Sequence, residues 1–281
     1  MTTGKSNIIV VLIFGGFILF RTIFPAQKDD EISNTIFNLS IELVGGIVLY
    51  GILQLLQNVK HLKFYFQTQF LYRRKDIRLS LAYLYRIQID DRYLLVKSSH
   101  RDYFQPVGGA YKTLPGSKYI FDKLSVKSDR LIETEKGIAK GDLRVFVKGL
   151  NVIEFLEWFD SNQDRETSPW REFCEELIST HIVPWQDFKF INYKFKGRIK
   201  TPILDLDSGD KGVFIFDIYD LVPNNDQLKI LENLLILGDT EKYIWVDEYH
   251  INRLGHNEID KKYSYKIGQH TKWALNMEWS K

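Results

Sequence analysis

The residues best suited to chemistry form one run, Arg171-Glu172-Phe173-Cys174-Glu175-Glu176-Leu177. On a helix, Glu172, Glu175 and Glu176 fall at i, i+3 and i+4, so three carboxylates share one face. Charges that close repel unless water or a cation lies among them. Mg²⁺, a hard cation that prefers oxygen, would bridge them. Arg171 lies four residues before Glu175 and can brace it. The plainer reading is a solvated acidic face on an ordinary helix, and the run alone does not separate the two. A second motif, Phe104-Gln105-Pro106-Val107-Gly108-Gly109, ends in a glycine pair that lets backbone approach a phosphate or metal. Arg101 and Lys112 flank it and either reach phosphates or stay as solvated loop charges. His100 reads as a plain loop residue. Phe104 and Trp245 can stack on a base, although packing into a core is the commoner role for a strand tryptophan.

These groups need elements to hold them. Ser168 can cap a helix over 170–179, with Pro169 suited to its first turn and Glu172 placed to favour the helix dipole. Residues 79–89, broken by Asp90-Asp91 and resumed over 93–97, read as a β-hairpin. Strands are expected at 103–105, 144–148, 188–195, 213–221 and 243–246. Helices are expected at 152–159, 226–237 and 270–276, and 205–212 reads as an exposed turn. Residues 76–281 are enough for one substantial core.

The N-terminus has a different character. Two apolar runs, 8–24 (interrupted by Arg21) and 36–56, flank a short polar loop. About 20 apolar residues cross a bilayer core, so the pair predicts an antiparallel two-helix transmembrane hairpin over 1–56. A cleaved signal peptide is the alternative for the first run. Residues 57–75, mixing aromatics with lysines, read as a juxtamembrane helix or linker. Lys60, Lys63, Arg73, Arg74, Lys75 and Arg78 follow the second run. The positive-inside rule then predicts a multi-pass inner-membrane protein with both termini cytoplasmic. Glu42 within the second run, followed by Gly45 and Gly46, marks either a self-association or pore-lining face or a snorkelling acid beside packing glycines. A single cysteine, Cys174, excludes an internal disulfide framework. A net charge of +2 gives no bulk grip on a nucleic-acid polymer.

The strand entering Gln105-Pro106-Val107-Gly108-Gly109, the Arg171-Glu172-Phe173-Cys174-Glu175-Glu176 helix and the later Trp245-Val246-Asp247-Glu248 together resemble a Nudix domain. The spacing departs from that family's signature. Sixty-one residues separate Gly109 from Arg171, Glu166 stands closer to Arg171 than the isolated signature glutamate does, and Ser179 replaces the glycine after the helix. With two N-terminal spans, the chain is similar to the SMODS-associated Nudix-like effectors of bacterial cyclic-oligonucleotide anti-phage signalling (CBASS). The resemblance implies an α+β fold: the transmembrane hairpin plus a Nudix-like mixed β-sheet/α domain over 76–281, with an insertion at 110–165. It implies that Glu172, Glu175 and Glu176 hold Mg²⁺ if the domain is active. It also implies a cytoplasmic sensor of a cyclic nucleotide made by a partner nucleotidyltransferase. Ligand-driven homo-oligomerisation of the hairpins would then disrupt the inner membrane. A membrane-anchored Mg-dependent Nudix hydrolase of a nucleoside diphosphate derivative is the alternative, and a tether that recruits a protein is a third.

Overall fold

The computed structural model describes residues 38, 42, 44–46, 59–99, 101–132, 140–257 and 262–280. The chain divides into two compact units, Met1–Phe66 and Gln67–Lys281.

In the first unit the described residues include a helical stretch, α1, at Val59–Phe66. The expected transmembrane hairpin is corrected here: among the described residues no helix is long and apolar enough to cross a membrane. Of the span residues singled out by type, Glu42, Gly45 and Gly46 are helical and exposed, and most of 1–56 lies outside the described residues.

The second unit is a mixed α/β domain. Its first segment, a π-helical turn over Gln67–Leu71, is tied into the body. The Gln69 side-chain amide donates to the Leu150 carbonyl at 3.2 Å, and the Leu150 amide donates to Arg73 O at 3.1 Å.

The central strand is β1, Asp76–Arg86, buried at nearly every position because both faces are covered. It does not form the hairpin that its neighbour suggests. Only β2, Gln88–Ile89, turns back antiparallel on β3, Arg92–Lys97. β1 instead runs parallel to β10, Lys211–Val222, from Ile77↔Lys211 to Arg86↔Asp220. On its other edge β1 meets two strands end to end. β7, Arg144–Lys148, pairs with Asp76–Ser80, and β5, Gly108–Ala110, pairs with Ala82–Leu84. The sheet order is β6-β7-β1-β10-β8, where β6 is Lys127–Ser128 and β8 is Asn192–Lys200. A short strand β9, Leu204–Asp205, adds to the start of β10. β8 begins later than the pattern suggested, because Trp185–Phe188 forms a short helix behind Pro184.

One face of this sheet, Ala82, Leu84, Ile199, Phe216 and Ile218, packs on Trp273 and Ala274 of the C-terminal helix Gln269–Asn276. The other face is aromatic. Tyr83 meets Tyr111 edge-on at 4.8 Å, Tyr111 meets Phe159 at 5.3 Å, and Tyr85 meets Phe173 at 5.6 Å. Those contacts seat the helix Val152–Asp160 and the acidic helix on the sheet.

A second sheet has the order β11-β3-β2, with β11 at Tyr243–Val246 and β4, Phe104–Gln105, also on β3. Tyr93, Leu95, Ile244 and Val246 form its core with Ile251 and Ile267. The 13-residue helix Asn225–Leu237 starts from a capping box in which Asn224 accepts from Gln227 N–H and Gln227 returns the bond.

Candidate functional site

The acidic helix begins at Trp170, as the sequence suggests, with Ser168 Oγ accepting from the Trp170 amide at 3.3 Å. After Phe173 it widens into a π-helical turn, Cys174–Ile178, with Ser179 N–H bonded to Cys174 O at 2.8 Å. Such widened turns occur mostly as single insertions in α-helices, often at functional sites. The three glutamates therefore do not form one solvated face. Glu172 and Glu176 turn inward onto β5, and Glu175 remains 42 % exposed.

Each inward carboxylate meets one of the two glycines. Glu176 Oε2 accepts from Gly108 N–H at 2.7 Å, and Oε1 accepts a longer bond from Gln105 Nε2 at 3.4 Å. Glu172 lies where a Gly109 Cβ would be: such an atom would come within 2.1 Å of Oε1. The glycine pair is thus a strand rather than a turn, and its missing side chain admits the protein's own carboxylate. We expect Gly109→Ala to cost about 1–3 kcal/mol. Adding Glu172→Ala should recover part of that loss. Gly108→Ala should be worse, because φ is +149° and the new Cβ would lie 2.1 Å from the backbone oxygen of Tyr83, which cannot swing aside. Denaturant unfolding of the three variants checks the order.

Arg171 is the hub. Its guanidinium reaches Ala110 O at 2.7 Å, Glu172 Oε1 at 2.7 Å, Glu166 at 3.1 and 3.2 Å and Glu175 at 3.3 Å. Glu166 also accepts from the Lys112 amide at 3.1 Å. The Tyr83 hydroxyl, kept neutral by burial, accepts from the Glu172 amide at 3.3 Å. Burial raises the Glu172 carboxyl even against the Arg171 charge, and it pushes Glu176 up to about 8 against the Gly108 hydrogen bond. Burial thus favours the protonated form of Glu176.

These residues do not fit the Mg²⁺ expected from their types. Glu172 is bonded to Arg171, both oxygens of Glu176 accept from the protein's own Gly108 and Gln105, and Glu175 is 42 % exposed and leans on Arg171. Among the described residues no group of three or more His, Cys, Asp or Glu is disposed to hold a metal ion.

The structure brings Gln105, Gly108, Gly109, Glu166, Arg171, Glu172, Glu175 and Glu176 together. It places the other candidates elsewhere. Lys112 Nζ bonds Asp142 at 2.5 Å and the Lys140 carbonyl at 2.9 Å, so it braces a loop. Arg101 is exposed before β4, and His100 lies outside the described residues. Phe104 packs on the second sheet's core, edge-on to Tyr265 at 6.5 Å. Trp245 is 4 % exposed on β11. Tyr83 was not foreseen, since a tyrosine in an apolar strand carries no signal of its hydroxyl's partner.

Compared with known proteins, residues 76–275 match the SMODS-associated NUDIX domain family. No curated protein matches the chain.

Proposed function

The chain belongs to the SMODS-associated NUDIX domain family, and from that premise we propose that its Nudix-like domain is a receptor for a cyclic nucleotide rather than an efficient hydrolase. The observation that carries this reading is the state of the acidic helix. Its inward glutamates bond the protein's own Arg171, Gln105 and Gly108 N–H, leaving no carboxylate trio for a metal that would activate water. The ligand would be the product of a nucleotidyltransferase, and occupancy would promote self-association of the chain. The second reading, a Mg-dependent Nudix hydrolase, draws on the same helix: two desolvated carboxyls beside a glycine strand are the kind of perturbed acids found at catalytic sites.

A thermal-shift and product assay on the purified full chain separates the two, using cyclic di- and trinucleotides and ADP-ribose with Mg²⁺. At a hundredfold excess over Kd a bound ligand adds about 2.7 kcal/mol. For a domain of this size that corresponds to a rise in Tm of roughly 5–10 °C. The receptor reading expects that rise with a cyclic nucleotide and no product from ADP-ribose. Turnover of ADP-ribose that vanishes in a Glu175→Gln/Glu176→Gln variant, with no cyclic ligand bound, would replace it with the hydrolase.

A further inference from the structure

The acidic helix is a poor seat for a polyanion, since without a cation its carboxylates repel phosphate. The β8 edge of the large sheet has the opposite character. Among the described residues β8 is the outermost strand there and pairs only with β10. It carries Lys194, Lys196, Arg198 and Lys200 and no acid. The carboxylates of β10 behind it are already held. Asp217 accepts from Arg198 at 2.5 Å and from the Tyr111 hydroxyl at 2.7 Å, and Asp220 accepts from Arg86 at 2.6 Å. Arg198, which also bonds Asp160, is thereby committed to the protein. Lys196 lies 4.0 Å from Asp220, farther than Arg86 does. The surplus charge along this edge is positive and comes from its lysines.

The same edge bares aromatic rings. Tyr193 is 38 % exposed and Phe195 53 %. Both meet Tyr219 of β10 edge-on, at 5.4 and 5.5 Å, so they stand on one face of the sheet. Tyr85 backs Tyr219 at 6.2 Å, and the shelf is thus the aromatic face under the acidic helix, continued outward to solvent. The register slips between Ile218 and Tyr219, so that Lys196 stands opposite no residue of β10. Such bulges bend an edge strand and re-aim its side chains, often beside sites. Charge decides what this edge can receive. An antiparallel two-fold pairing with a second copy, centred on Phe195, Lys196 or Gly197, sets lysine or arginine against lysine or arginine, and like charges placed opposite destabilise a sheet. A flat anion meets no such repulsion. Exposed rings offer stacking surface to any base, and lysines on four-carbon stems can reach its phosphates round the free edge.

We propose that the β8 edge is the nucleotide-binding surface, with Tyr193 and Phe195 stacking on a base and Lys194 and Lys196 holding its phosphates. This rests on the receptor reading above and moves the ligand from the acidic helix to the rim of the sheet. The test is isothermal titration of the full chain with cyclic di-AMP, cyclic di-GMP and cyclic GMP–AMP, repeated for Lys194→Ala/Lys196→Ala, Phe195→Ala and Phe195→Tyr. All three side chains are exposed, so the variants should unfold at the wild-type temperature without ligand. The expected result is a loss of affinity of about tenfold or more for the double lysine variant. Phe195→Ala should lose about fivefold or more, and Phe195→Tyr, which keeps a ring, should bind as wild type does. Added salt should weaken the wild type more than the double lysine variant. Wild-type affinity in both the double lysine variant and Phe195→Ala, for a probe that the wild type binds, would overturn this edge and leave the receptor reading standing. Ligand-free Phe195→Ala that sediments at a lower mass than wild type would give the edge to a second copy and overturn it likewise. No binding of any probe by the wild type would remove both readings.

Discussion

Arg171→Ala is expected to lower the unfolding free energy by about 3 kcal/mol or more. In a domain of this size that is a drop in Tm of roughly 10 °C. The cause is unbalanced charge. Arg171 is 24 % exposed, and the two carboxylates it serves most closely, Glu172 and Glu166, are 13 % and 15 % exposed. Removing the guanidinium leaves both half-desolvated without a counter-charge, and it strips the Ala110 carbonyl of its donor. Breaking such a set costs more than the set contributes as a whole, because the penalty is that of the stranded charges. Arg171→Lys should recover little, since one ammonium cannot span acceptors on β5, Glu166 and Glu172 at once. Arg171→Ala combined with Glu172→Gln should be milder than Arg171→Ala alone. Denaturant midpoints read all three. A lysine variant as stable as wild type would mean that the fork geometry is irrelevant and only the charge matters.

How far the sequence foretold this arrangement depends on the range of the contact. The acidic helix, its start at Trp170 and the glycine pair were legible, because capping, carboxylate spacing and glycine type are local signals. Their mutual contact was not: Gly108 and Glu176 lie 68 residues apart. The inward turn of Glu172 and Glu176 was not legible either, because it depends on the glycines of β5, which lie far away in sequence. β1 was legible as a strand but not by partner. A strand buried on both faces loses the alternation that marks a side, so proximity suggested a hairpin where the true partner, β10, joins Arg86 to Asp220 across 134 residues. The apolar N-terminal runs suggested spans from composition alone, and among the described residues no helix is long and apolar enough to cross a membrane. Trp245 drew notice by type.

Glu176→Gln should stabilise the protein at alkaline pH and leave it nearly unchanged near pH 5. Folding raises this carboxyl from its ordinary value of 4.5 to about 8, so between those limits the folded chain holds a proton that the unfolded chain has released. Stability therefore falls as the pH climbs through that window and levels off above about 8. Glu172, also raised by burial, adds to the slope with the same sign. A tenfold change in acid strength is worth about 1.4 kcal/mol, and relaxation of a buried site reduces the ideal total, so a difference on the order of 3 kcal/mol is expected at about pH 8.5. Glutamine keeps an acceptor for Gly108 N–H and carries no proton to lose, which removes this residue's part of the slope. Thermal unfolding of both proteins from about pH 5 to about pH 8.5 reads the divergence directly. Millimolar Mg²⁺ sharpens it. A cation on Glu176 would favour the ionised form, pull its titration down and bring the wild type up to the variant. With both carboxylate oxygens already engaged by Gly108 and Gln105, we expect the gap to persist in Mg²⁺. Its closure would return the metal to this helix and, with it, the hydrolase.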